Sequence, residues 1–186
     1  MAAKKRGAIL KAAMEMFRRH GFKRTSVELI AEEAKVAKPT IYAHFEDKEA
    51  LFVAVCQLFG DLMMEAAERA LAHGSVHDRF TSILAAKFTF YFDVVLRSPH
   101  ATELLGVTND LGRETILASD IAYRNFLIEA ITQADERREI SLGSMKLSAD
   151  DLADVLLQSG HGAEYGAKTT EDHCANLRRL VTLVLR

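Results

Sequence analysis

Lys38, Thr40, Tyr42, His44 and Lys48 put two ammonium groups, a hydroxyl, a phenol and an imidazole into one short stretch of the chain. All five can donate hydrogen bonds and two are permanent cations. Such a strip matches phosphate oxygens and the acceptor edges of bases better than it matches any bond-making chemistry. The competing chemistry is metal ligation, for which His161 and Glu164 stand three apart on a predicted helix and His73 and His77 four apart. A di-iron bundle needs two Glu-x-x-His pairs and further inward carboxylates, and the sequence supplies neither. His73 and His77 also flank Gly74, where a helix should break. With no G-x-S-x-G, no phosphate-binding glycine loop and no H-E-x-x-H, no residue is assigned a catalytic or metal role and no cofactor is expected.

A pair of short helices must position the donors. Thr25 followed by Glu28 has the spacing of a capping box. Val27, Ile30, Ala31 and Ala34 then fall on one stripe, which gives that helix a single buried face. Lys35-Val36-Ala37 forms the turn, with Val36 as its apolar plug. Pro39 stands in the first turn of the second helix, where its missing N–H costs nothing. Ile41 and Phe45 bury the inner face; Thr40, Ala43 and His44 point outward with Tyr42 beside them. Asp47 caps the next helix and leaves Lys48 at its start. A cation there opposes the helix dipole unless a phosphate lies in front of it. A helix pair of this size can enter a DNA major groove. On that reading Thr25, Tyr42, His44 and Lys48 meet phosphates, and Lys38, Pro39, Thr40 and Ala43 meet base edges.

The ordered run Ile9-Leu10, Ala12-Ala13, Phe17, Gly21-Phe22, Thr25-Ser26-Val27, Ile30-Ala31, Ala34, Val36, Lys38, Thr40, Ile41-Tyr42, His44-Phe45 and Lys48-Glu49-Ala50-Leu51 resembles the TetR family of transcriptional regulators. The resemblance covers about the first third of the chain. It implies an all-α protein with an N-terminal three-helix DNA-binding head containing the helix-turn-helix (1–46) and a C-terminal helical ligand-binding and dimerisation body (47–186). It further implies a one-component regulator, most often a repressor, that grips a palindromic operator as a homodimer and answers to a small-molecule effector. Two positions depart from the pattern. Lys35 stands where glycine is usual, so a side chain must accept a left-handed backbone. Ala37 stands where Ser or Thr caps the second helix.

Composition agrees with that division. Residues 1–50 hold 11 Lys/Arg against 7 Asp/Glu, while residues 51–186 hold 13 against 19, so the net charge of −2 hides a basic head and an acidic body. Lys4, Lys5, Arg6 and Lys11 extend the basic surface toward the N-terminus. Cys56 and Cys174 have no metal spacing and read as free thiols of a reducing cytoplasm. No secretion signal is evident and no uninterrupted apolar run long enough for a bilayer, so no membrane partner is expected. Nine helices are expected, near 3–20, 26–34, 38–44, 47–73, 76–98, 100–107, 112–139, from Ser148, and from Thr169 to the C-terminus. Residues 109–112 read as a loop.

The last two helices carry apolar stripes, Leu152, Val155, Leu156, Ser159 and Ala163 on one and Leu177, Val181 and Val184 on the other. They are read as a dimer interface through the resemblance, and as intramolecular core otherwise. For the effector, Phe59, Met63, Phe88, Phe92, Asn109, Tyr123, His161 and Tyr165 are the candidate lining, which favours an apolar or aromatic ligand. Ligand binding among the fourth to seventh helices would shift the fourth and change the separation of the two heads. The alternatives are a helical ligand-binding protein without DNA regulation and, behind it, a metal-dependent helical-bundle enzyme.

Overall fold

The computed structural model describes residues 2–185, with side chains from Lys4 onward. Every regular element among the described residues is helical. The order is α1 (Ala2–Arg24), α2 (Val27–Glu33), α3 (Lys38–Tyr42), α4 (Lys48–Ala70), α5 (Val76–Tyr91), α6 (Ala101–Val107), α7 (Arg113–Glu136), α8 (Leu142–Met145), α9 (Ala149–Gly162) and α10 (Thr170–Val184). All nine expected helices are present, and the single turn α8 is additional. The end of the last helix was expected at the C-terminus; residue 186 lies outside the described residues. The loop expected at 109–112 is instead a π-helical turn, Thr108–Gly112, continuous with α6 and α7, and a second π turn, Phe92–Leu96, extends α5.

Local chemistry sets the ends. Reciprocal capping boxes open α5 (Ser75 with Asp78), α9 (Ser148 with Asp151) and α10 (Thr169 with Asp172). Lys35, Arg138 and Lys146 have φ of 54°, 58° and 55°, and each sits just past a helix. In each case the next residue's N–H returns to a carbonyl five residues back: Val36 to Ala31, Glu139 to Ala134, Leu147 to Leu142. These are Schellman ends, in which the left-handed residue is usually glycine. Here a cation takes the place and faces the negative end of the dipole.

The chain divides into two compact units, though not at residue 46. One unit takes the chain up to Asp61 together with Val94–Ser119; the other takes Leu62–Asp93 together with the chain from Asp120. In the first, Ile9, Ala13, Phe17, Phe22, Ile30, Ile41 and Phe45 share one core with Leu51, Phe52, Val55 and Cys56 of α4 and Leu104 of α6. Phe17, Phe22 and Phe52 form an aromatic trio with centroids 5.2–5.6 Å apart. The chain turns sharply at Gly21 (φ 76°, ψ 170°), a backbone region open to glycine alone. Segment 98–103 fastens that turn. Ser98 Oγ donates to the Arg18 carbonyl at 2.8 Å, Glu103 accepts from the Lys23 N–H at 2.6 Å, and Arg24 donates to the His100 ring at 2.8 Å.

The second unit packs α10 and α9 on α5. Its buried side chains include Phe80, Ile83, Leu84, Phe88, Tyr123, Leu127, Ile131, Leu152, Leu156, Leu177 and Val181. The Tyr123 hydroxyl donates to the Ile83 carbonyl, so its one polar atom is satisfied. Lys87 pairs with Asp120, Arg79 with Glu139, and Arg124 spans Asp150 and Asp154. By length and mean hydropathy α4 does qualify as a bilayer-length helix, contrary to the expectation. Its apolar residues are used inside the protein: Leu51, Phe52, Val55 and Cys56 in the first unit, Met63 and Ala67 in the second.

Candidate nucleic-acid interface

The helix pair forms as its residues require, with one exchange of roles. Ser26, not Thr25, is the N-cap of α2; its Oγ accepts from the Leu29 N–H. Thr25 is buried, and its hydroxyl donates to the carbonyls of Gly21 (2.6 Å) and Met16 (3.1 Å). Its backbone N–H is held by the Phe22 carbonyl. With both donors committed inside the core, Thr25 has none for a phosphate. That contact is removed from the expected set, and Thr25 becomes the bolt that closes α1 on α2.

α3 is shorter than expected, five residues rather than seven, with Ala37 at its N-cap making no side-chain hydrogen bond. Ile41 and Phe45 are buried beneath it. Lys38, Pro39, Tyr42 and Ala43 are exposed, while Thr40 and His44 are half-buried. The outward row therefore stands where the spacing placed it. Lys48 lies at the start of α4, with its ammonium 3.1 Å from the Phe22 carbonyl and 4.3 Å from the Phe22 ring centroid. One N–H is thereby engaged, and an ammonium has three. Lys4, Lys5, Arg6 and Lys11 are exposed on α1, and the Arg6 guanidinium stacks 5.2 Å over Phe45, at the far end of the α3 segment.

One residue was missed. Glu28 of α2 forms an ion pair with Lys38, whose ammonium also lies 5.7 Å over the Tyr42 ring. The Lys38 ammonium, then the Glu28 backbone N–H and the Ser26 hydroxyl, hold the Glu28 carboxyl down to about 2. In return Glu28 raises the Lys38 pKa. The only sequence signal was an acid exposed on α2 beside a stretch of donors, and the Thr25 capping box had already claimed that acid.

The dimer candidates divide differently from the expectation. Leu152, Leu156, Leu177 and Val181 are fully buried in one chain, and Ala163 nearly so. They pack inside the second unit, so the interface assignment of these five is corrected to core. Val155 is exposed, and Ser159 and Val184 are half-buried. Leu183, 63% exposed, was not foreseen as a surface apolar residue.

The effector candidates do not converge. Tyr165 is 91% exposed and Asn109 is exposed on its π turn, so neither lines a pocket. Tyr123 and Phe92 are core, and the Phe92 ring lies 4.8 Å from that of His173. His161 is exposed, its ring edge-on to buried Phe88 at 4.9 Å. Phe59 is half-buried in the first unit. Met63 alone lines the cleft in the second unit, a space of about 270 Å³ with Leu62, Ala66, Ala85, Ala86, Thr89, Phe90 and Asp93. The useful signal was small residues: Ala66, Ala85 and Ala86 leave room where aromatics would fill it. Among the described residues no three His, Cys, Asp or Glu side chains gather as for a metal. His73 lies in the turn after α4 and His77 in α5, so no single helix presents both.

A family profile for bacterial regulatory proteins of the tetR family matches residues 9–55. The transcriptional activator FasR of Mycolicibacterium smegmatis is 28% identical over 156 residues, 78% of this chain and 69% of that protein. Matches to two Bacillus subtilis regulators, YhgD and YerO, span only 56% and 52% of those proteins. A crystal structure assigned to the TetR-family regulators of Rhodococcus sp. superposes with a TM-score of 0.74 at 25% identity, covering 99% of this chain and 100% of that one. FadR of Bacillus subtilis, solved in complex with stearoyl-CoA, shares the fold at a TM-score of 0.59 and 19% identity, with 96% of each chain covered. The α1–α3 core, the exposed α3 row and these likenesses agree: residues 9–55 carry the DNA-binding region of the tetR family, and the chain as a whole has the fold of TetR-family transcriptional regulators.

Proposed function

We propose that the protein is a cytoplasmic, homodimeric repressor that binds a palindromic operator and loses or regains it with a small effector. The observation that carries the reading is the outward row of α3, Lys38, Pro39, Tyr42 and Ala43, mounted on a helix whose other face is sealed by Ile41 and Phe45. Two such helices placed about 34–36 Å apart meet successive major grooves, and two-fold symmetry makes the target a palindrome. Val155 and Leu183 supply exposed apolar surface for the pairing of two chains.

For the effector, the cleft walled by Leu62, Met63, Ala66, Ala85, Ala86, Thr89, Phe90 and Asp93 supports a compact apolar or aromatic ligand. At about 270 Å³ it is just below the usual range of ligand pockets, about 300–1,000 Å³. FadR's stearoyl-CoA is a far larger molecule, so we assign this chain a smaller one. The ligand acts only through a difference in affinity between two arrangements of the dimer; moving 1:99 to 99:1 takes about 5.5 kcal/mol.

The test is selection of sheared genomic DNA on the purified protein at about 0.15 M salt, near physiological ionic strength. Enrichment of one palindrome supports the regulator. Failure to enrich any sequence, repeated with the cell's small-molecule extract present, would leave a helical ligand-binding protein without DNA regulation.

A further inference from the structure

A cation facing DNA attracts every phosphate equally, and each one neutralised strengthens binding to all sequences alike. Lys38, the foremost base-edge candidate, does not stand as a free cation. The Glu28 carboxylate on the neighbouring helix holds it, both side chains being about half exposed (46% for Lys38, 59% for Glu28). The ammonium keeps further donors, but a phosphate that takes them meets a cation already neutralised, and the carboxylate beside it repels the phosphate. A base pair offers different terms. In the major groove guanine presents its O6 and N7 acceptors beside the N4 donor of its cytosine partner. An ammonium and a carboxylate already in contact meet those groups together: Lys38 gives hydrogen bonds to guanine while Glu28 accepts from cytosine. The carboxylate is a repulsive neighbour on the DNA backbone and a second hydrogen-bonding partner on a G·C pair.

We propose that Glu28 is a specificity-determining residue of this interface, which weakens the pull of Lys38 on phosphates and with it reads one G·C pair in each half of the operator. The inference rests on the DNA-binding function above. Its cost falls on non-specific complexes, which makes Glu28 a filter rather than an anchor. The Lys38 ammonium also lies 5.7 Å over the Tyr42 ring, a cation–π contact compatible with the Glu28 pairing.

The experiment compares wild type with Glu28→Gln, Glu33→Gln, Lys38→Ala and the Glu28→Gln/Lys38→Ala double variant. It reads binding to random duplex against salt and sequence preference by selection. Wild type is expected to select G·C at one fixed position per half-site. Glu28→Gln should bind random duplex more tightly, steepen log K against log salt by about one, and lose the cytosine preference. Glu33→Gln removes the same charge from α2 without releasing Lys38 and should match wild type. On the Lys38→Ala background Glu28→Gln should leave the slope alone. A Glu28→Gln slope equal to wild type, a steepening that persists without Lys38, or half-sites without a fixed G·C position would each overturn the inference while leaving DNA binding standing. A wild-type chain that binds no duplex would overturn both.

Discussion

The Phe88 ring occupies the space that a side chain at position 160 would need. A Cβ built on Gly160 would lie 2.2 Å from Phe88 Cε2, well inside contact distance. Gly160 lies in the last turn of α9, and glycine within a helix costs up to about 1 kcal/mol against alanine, so the residue weakens α9 where it seats α5. Gly160→Ala regains that propensity and meets the buried Phe88 ring. The net expectation is a loss of about 1–3 kcal/mol, seen as a fall of roughly 2–4 °C in Tm per kcal/mol for a chain of this size. An unchanged or raised Tm would mean the ring yields.

Thr25 separates a structural from a DNA-contacting role. Thr25→Val leaves the Met16 and Gly21 carbonyls without their donor and should cost about 1–3 kcal/mol. Thr25→Ser keeps the hydroxyl and should recover most of it in urea denaturation. Neither variant should alter the salt slope of DNA binding; a shallower slope in Thr25→Val would restore the phosphate contact.

Lys48 behaves oppositely. Lys48→Ala removes a charge beside the recognition helix and should shallow the log K against log salt slope by about one. It also gives up the bond to the Phe22 carbonyl. A fall in stability with no change in slope would confine Lys48 to that bond.

Lys35 adopts the left-handed conformation at the end of α2 without being glycine. Lys35→Gly relieves the backbone and should raise the unfolding free energy by up to about 1 kcal/mol, read as a higher denaturation midpoint, the glycine's own entropy cost setting the limit. A lowered midpoint would show that the cation's attraction to the helix end outweighs the strain.

His173 gives the second unit a pH dependence of definite sign. Its ring is buried against Phe92, and neither nitrogen has a hydrogen-bond partner in the structure. Burial pushes its pKa below the ordinary value, against the opposing pull of Glu164 and Asp93. The folded protein therefore binds the proton less readily than the unfolded chain. Stability is complete above about pH 6.5 and falls as pH drops through that value, by at most about 1.4 kcal/mol per pH unit. His173→Phe should flatten the curve between pH 7.5 and 5, and an equally steep variant would assign the effect elsewhere.

The head was legible because its information is local. The stripe Val27, Ile30, Ala31, the pair Ile41 and Phe45, and Pro39 at a helix start need no distant partner to be interpreted. Thr25 and Ser26 are both N-cap residue types, and Glu28 three residues after Thr25 pointed to the wrong one; the carbonyls of α1 decide which is buried. The stripes Leu152-Leu156 and Leu177-Val181 were seen correctly as apolar faces, but a stripe does not say whether its cover is the same chain or a second copy. The cleft escaped notice because Ala66, Ala85 and Ala86 matter by what they lack.

Segment 98–104 closes the first unit from far along the chain. Ser98 reaches the Arg18 carbonyl across 80 positions, Glu103 reaches Lys23 across another 80, and Leu104 enters the core. During synthesis the first forty-odd residues can form their helices soon after emerging, yet they lack their last strap until residue 104 is out. An excised fragment ending at residue 46 would lack Leu51, Phe52 and Val55 as well, and would expose the apolar surface they cover. A transplantable DNA-reading piece of this protein has to be cut from two stretches of gene, not one.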